Sequence, residues 1–250
     1  PGIFSEPGVD PRPGLIYHGS SFSQGTVSVD GTAAEGDKAR IFINERQYEY
    51  VVKAGDNLAR VRDGLIEAIN ANGGDPEVVA FPAGVFTRVR LRARIEGPQG
   101  NNITIRGAAV DRNNNEAAQV IMTATNSRLC CANRGGTRVT ESNPALPGET
   151  IIVYATGLGL PIGVGIEQLL NGEPFRGPEV NEPIQFVNSL AGGRTANVIF
   201  ARLIPGQVGI YEVQLELNSD LPTNPATQLT IAQSFQVSNI VTFPLVRTDQ

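Results

Sequence analysis

Histidine is the side chain that most often acts as a base or metal ligand near neutral pH, and this chain has one, His18. A histidine-based triad or multi-histidine zinc site could therefore form only between chains. His18 instead reads as a polar residue in an extended segment. No Gly-x-Ser-x-Gly elbow and no P-loop occurs. Gly157-Leu158-Gly159 imitates the start of a dinucleotide fingerprint, but Pro161 and the lack of a following helix make it a turn between strands. The run from Asp111 to Glu116 imitates a calcium loop. It lacks the glycine at position six, and Met122 stands where the bidentate glutamate belongs, so it reads as a polar hairpin turn. No pair of carboxylates has a context that would raise one pKa for glycosidase chemistry. The expected catalytic, cofactor and metal complement is none, and the chain reads as a non-enzyme.

Two other clusters carry chemistry of a different kind. Arg88, Arg90, Arg92 and Arg94 alternate with Val89, Leu91, Ala93 and Ile95, which puts all four guanidiniums on one face of a strand. Such a face is either solvated protection against edge pairing or a clamp for an acidic partner surface. The acidic half of a neighbouring copy is one candidate. Nucleic acid is disfavoured because no aromatic alternates on the arginine face to stack bases. Cys130-Cys131 leaves three options: a vicinal disulfide, two thiols, or bonds to other chains. Export favours the oxidised state.

The elements that position these residues are mostly strands. The chain has 250 residues, 40% hydrophobic and 18% charged, with 28 glycines and 17 prolines, which suits short strands joined by turns. A net charge of −5 argues against nucleic acid or an anionic membrane as main partner. No apolar run is long enough to span a bilayer. The start at Pro1, without a leader, reads as processed. Residues 1–139 carry 16 Lys+Arg against 15 Asp+Glu, whereas residues 140–250 carry 4 against 10, so a domain boundary is expected near Thr137–Pro147.

Residues 1–24 hold four prolines and four glycines and form an extended N-terminal arm. The arm is too apolar for an inert linker: it packs on its own domain or docks on a neighbouring subunit. Residues 25–139 predict an antiparallel α+β module in the order β-β-β-α-β-β-β. Strands are expected at Thr26–Val29, Ala39–Asn44, Gln47–Lys53, Val78–Phe81, Val85–Ile95, Ile103–Ala109 and Ala117–Thr125. Leu58, Val61, Leu65, Ile66 and Ile69 recur at helical spacing behind Asp56 as N-cap. Residues 140–250 predict an all-β sandwich, with strands at Thr150–Ala155, Ile184–Asn188, Ala196–Leu203, Gly209–Leu217, Gln228–Ala232 and Phe235–Thr242.

Two stretches resemble known families. The run from Gly25 through NLARVRDGLIEAINA, with the later GPQGNNITI, resembles a small module of phage tail-type and bacterial surface proteins, over roughly Gly25–Ala109. Its motifs are structural and carry no catalytic residue. NPALPGETIIVYATGLG, PGQVGIYEV and VSNIVTFPLV resemble the uncharacterised Solibacter-type C-terminal domain of secreted acidobacterial proteins, over about Pro144–Val246. That resemblance implies an Ig-like fold and export. The whole chain is thus expected to be mainly β, an α+β module followed by an Ig-like β-sandwich.

The expected function is a self-assembling structural subunit of an extracellular bacterial filament, sheath or surface layer. The arm would add a strand to the next copy, with Ile3, Phe4, Val9, Leu15 and Ile16 filling its groove. The expected partner is the protein itself, as a homopolymer. A secreted adhesin or carbohydrate-binding module with a glycan partner is the alternative, weakened by the absence of Trp. A phage tail component is third.

Overall fold

The computed structural model describes residues 1–83, 87–162, 172–176 and 182–247. They are mainly β, with several sheets and one α-helix. The chain divides into two compact units: unit 1 joins Pro1–Gly19 to Arg134–Gln250, and unit 2 is Ser20–Asn133. The boundaries differ from the expected 24/25 and 139/140, because residues 1–19 are not a separate arm. They are strands of unit 1, and unit 2 is inserted in sequence after them.

Unit 2 contains β4 (Gln24–Gly31), β5 (Lys38–Ile43), β6 (Arg46–Val51), α1 (Leu58–Asn70), β7 (Val78–Pro82), β8 (Arg88–Ala93), β9 (Ile105–Val110) and β10 (Val120–Ala124). Four strands follow the helix rather than the three of the expected order. Val85 and Phe86, expected to open β8, lie outside the described residues. One sheet runs β10-β4-β8-β7 and a second β6-β5-β9, with every pairing antiparallel. The alternation in β5 and β8 sends Ala39, Ile41, Ile43, Val89, Leu91 and Ala93 into the core. Helix α1 covers that core with Val61, Leu65 and Ile69.

The helix cap departs from expectation by one residue. Asn57, not Asp56, is the N-cap, and its side chain accepts a hydrogen bond from the Arg60 N–H at 2.9 Å. Asp56 is occupied elsewhere: Oδ2 accepts from the Lys53 N–H at 2.8 Å and the Tyr50 hydroxyl at 2.9 Å. Behind the helix, the buried Asp75 carboxylate gathers the Arg46 guanidinium, the Tyr48 hydroxyl and the backbone N–H groups of Glu77 and Val78. Burial alone would raise its pKa, but these donors outweigh that and hold it below the ordinary carboxylate range.

Unit 1 contains β1 (Gly2–Ile3), β2 (Arg12–Pro13), β3 (Ile16–His18), β11 (Thr150–Thr156), β12 (Val187–Ala191), β13 (Arg194–Thr195), β14 (Asn197–Leu203), β15 (Ile210–Glu216), β16 (Asn224–Gln233), β17 (Gln236–Val237) and β18 (Val241–Leu245). One sheet runs β11-β15-β14, with β1 and β3 on the free edge of β11; the other runs β13-β12-β16-β18-β2. The expected strand at Ile184–Asn188 is displaced to Val187–Ala191, and Ile184 and Phe186 are exposed. The expected run Phe235–Thr242 is two strands. It breaks where the Ser238 hydroxyl accepts from the Ile231 N–H and donates to the Asn239 carbonyl.

Two predictions follow from unit 2. A Cβ on Gly64, in the middle of α1, would overlap the Tyr50 ring. Gly64→Ala is therefore expected to destabilise by about 1–3 kcal/mol in urea unfolding, despite alanine's better helix propensity. Asp75 has a folded pKa below its unfolded one, so its contribution is present above about pH 4 and fades as pH falls through the lower folded value. The urea midpoint should drop less between neutral and acid pH in Asp75→Asn than in the wild type, from a lower starting stability.

Candidate functional site

The arginine ladder sits on β8, between β4 and β7. Period-two alternation turns its guanidiniums away from the unit 2 core, but the four are not equivalent. Arg90 stands opposite Thr26 on β4 and Phe81 on β7; Arg92 stands opposite Gln24 and Val79. The Arg92 Cζ lies 4.8 Å from the centroid of the Phe22 ring and 5.1 Å from that of Phe81, and the Arg90 Cζ lies 5.4 Å from Phe81. The order Phe22, Arg92, Phe81, Arg90 is thus a stack of rings and cations. The expectation that no aromatic shares this face holds for β8 alone. The rings come from β7 and from the segment before β4, so no spacing within one strand could reveal them.

Neither Arg90 nor Arg92 has an ion-pair partner among the described residues, and the Nε of each is buried without an acceptor. Burial lowers the Arg90 pKa, and the charge of Arg92 lowers it further. Two like charges are therefore half-withdrawn from water with only ring faces to compensate them. Arg94 behaves differently: it is exposed just past the end of β8, and its Nε donates to the Asp75 carbonyl at 2.7 Å, bracing the turn after α1. Arg88 is half-buried opposite Ser28.

The N-terminal residues form the second group. Residues 2–3 pair antiparallel with Thr156 and Ala155 of β11, and residues 16–18 pair with Val153, Ile152 and Ile151. Between them the chain leaves the sheet as a hairpin, closed by the Ser5–Gly14 bridge and by the Glu6 N–H donating to the Pro13 carbonyl at 2.8 Å. Its return side, β2, pairs parallel with β18 of the other sheet. The Arg138 guanidinium meets the Glu6 carboxylate beside it.

The five apolar residues of this segment separate by parity. Ile3 and Ile16 point into the core of their own unit and are buried. Phe4 and Leu15 face the other way and line a cavity of about 420 Å³ with Tyr154, Ile204, Gln207 and Ile210. Val9, at the hairpin tip, is 92% exposed.

His18 ends this strand and is fully buried. Its Nδ1 meets the buried Glu149 carboxylate, and its Nε2 lies 3.2 Å from the Asn143 carbonyl. Both ring nitrogens thus have a hydrogen-bond partner inside the unit. The other Glu149 oxygen accepts from the Leu146 N–H at 2.9 Å. The pair is sealed from solvent and fastens β3 to the turn before β11.

Cys130 and Cys131 are joined as a vicinal disulfide. Cys130 exchanges two backbone hydrogen bonds with Gln24 at the start of β4. Asp111 caps its own turn, with Oδ1 accepting from the N–H groups of Asn113 and Asn115 at 2.8 Å each. Gly157-Leu158-Gly159 follows β11 as irregular backbone with Gly157 and Gly159 at positive φ, and the Gly159 carbonyl accepts the Tyr211 hydroxyl at 2.6 Å. Among the described residues no helix is long and apolar enough to cross a membrane.

No protein-family model matches the chain, and no curated protein matches it.

Glu149→Leu removes the partner of both the buried His18 Nδ1 and the Leu146 N–H. It is accordingly expected to cost about 1–3 kcal/mol for each group left unsatisfied, read from the denaturant midpoint of unit 1. Alkylation before and after reduction checks the cysteine pair: no label is expected without reductant and two labels with it.

Proposed function

We propose that this protein is a self-assembling, non-catalytic structural subunit of an extracellular bacterial filament, sheath or surface layer. Copies would be joined by exchange of the N-terminal strands. The observation that carries this reading is the path of residues 2–18. They close free edges of two sheets through backbone hydrogen bonds, yet their covalent route to β11 runs through the whole of unit 2. Backbone pairing is indifferent to which copy supplies the strand. An identical element can therefore pass between copies with its contacts unchanged, and contacts of that kind that do not close on themselves yield fibres.

Unit 1 is read here as an Ig-like sandwich. The orders β3-β11-β15-β14 and β13-β12-β16-β18 correspond to the ABED and CFG sheets of that fold, with the first strand divided between the two. This supports the resemblance of residues 144–246 to the secreted acidobacterial domain. The Cys130–Cys131 bond supports an oxidising, extracytoplasmic location.

The register offers a direct test, since Ile3 lies opposite Ala155. Chains carrying Ile3→Cys are mixed with chains carrying Ala155→Cys, then oxidised and run on a non-reducing gel. Strand exchange predicts a covalent dimer in the mixture and in neither variant alone. Electron microscopy of the full chain should show polymers. A chain lacking residues 1–19 should show none, and peptide 1–19 added in trans should restore its thermal stability. Monodisperse full-length particles and no mixed dimer would overturn the proposal.

A further inference from the structure

Within unit 2, several carboxylates are committed elsewhere. Asp75 takes Arg46, Glu49 takes Arg40, Glu67 takes Arg60, and Asp37 caps the N–H groups of Gln119 and Val120. Asp30, the one acid of β4, lies beyond Ser28 and opposite neither Arg90 nor Arg92. The two stacked guanidiniums are left as the charged groups of this face without a counter-ion. Contact with Phe22 and Phe81 restricts their rotamers, which reduces the freedom that an arginine loses on binding. Each Nε is buried, so it is the terminal nitrogens of these half-buried side chains that are left to meet a carboxylate.

Unit 1 supplies the complementary charge. It carries 12 Asp+Glu against 7 Lys+Arg, whereas unit 2 carries 13 of each. Glu141, Glu173 and Asp220 of unit 1 are exposed and have no ion-pair partner among the described residues. We propose that the Phe22–Arg92–Phe81–Arg90 stack docks the acidic surface of unit 1 of a second copy. One unit offers the cations and the other the carboxylates, so the contact is heterologous and each copy has both halves free to continue the chain. This contact does not rest on strand exchange: it needs no unfolding, forms at diffusional speed and is screened by salt.

Those properties define the experiment. Self-association of the full chain is followed by analytical ultracentrifugation at about 20 mM and about 500 mM salt, which spans long and short Debye lengths. The wild type should associate in low salt and weaken at least about tenfold in high salt. The double variant R90Q/R92Q should lose at least about tenfold in low salt while keeping its thermal midpoint. R60Q, which removes an exposed helix ion pair, should match the wild type.

A second measurement locates the partner. R92K chains grown with light and heavy nitrogen are mixed and coupled with a carbodiimide, which joins an amine to a carboxylate as an amide while itself taking up the elements of water to become a urea. At low salt, R92K chains should still associate through Arg90 and the lysine charge, and mass spectrometry should find mixed-isotope links from position 92 to acids of unit 1. Links confined to one isotope or to acids of unit 2, or none from associated R92K chains, would overturn the proposal, as would unchanged association of R90Q/R92Q. Binding to immobilised heparin that depends on Arg90 and Arg92, without self-association, would also overturn it and assign the face to an acidic glycan.

Discussion

A strand in the middle of a sheet must have both of its edges paired, and β11 meets that requirement in two very different ways. One edge is taken by β15 from the same continuous stretch of unit 1. The other is taken by residues 2–3 and 16–18, which precede the whole of unit 2 in sequence. An unpaired edge exposes a row of backbone donors and acceptors and invites another chain. The buried His18–Glu149 pair, 131 positions apart in sequence, makes the closure specific by adding a side-chain fastening at the end of the strand. The parity of Ile3 and Ile16, the hairpin between them and its reach to β18 all follow from residues 2–18 serving as that edge.

The insertion is compatible with this closure because its own ends meet. The Asn133 N–H donates to the Ser20 carbonyl at 3.0 Å, and within unit 1 the His18 N–H donates to the Thr137 carbonyl at 2.9 Å. Each unit therefore sees the other as a loop of short span, which is the condition under which one domain interrupts another with little entropic cost. Arg90 and Arg92 express an opposite tendency. Their face is shielded enough to lower one pKa, yet it has no acid within the unit to relieve it.

Much of the local structure was legible in the sequence because it is written in short periods. Alternation placed β5, β8, β11 and β15, and helical spacing placed α1 to within a residue. The cap was misplaced because Asp56 and Asn57 are both good cap formers, and Asp56 is drawn away by the Lys53 N–H and by the Tyr50 hydroxyl from another element. The arm was legible as extended and apolar, but its pairing with β11 was not, since no periodic signal links residue 16 to residue 153. The same holds for the site. The arginine ladder is a local pattern, whereas Phe22 and Phe81 reach it through pairing between strands. A signal was available in retrospect, because an isolated phenylalanine one strand away from an arginine run is a candidate for stacking on it. The fate of His18 was hidden for the same reason: Glu149 lies in a turn with no feature that marks it as a partner.

The order of the chain also sets a schedule. A ribosome adds roughly 5–20 residues per second, so β11 emerges on the order of ten seconds after His18. Throughout that interval Ile3 and Ile16 have no sheet to enter, and by its end Ser20–Asn133 is complete and free to fold. Each nascent chain thus carries an unmated strand ahead of a finished domain. On a crowded polysome the first β11 to appear beside a given N-terminus can belong to a neighbouring chain. Under the proposed strand exchange, the copy that receives the strand would be set by the timing of synthesis before any equilibrium is reached.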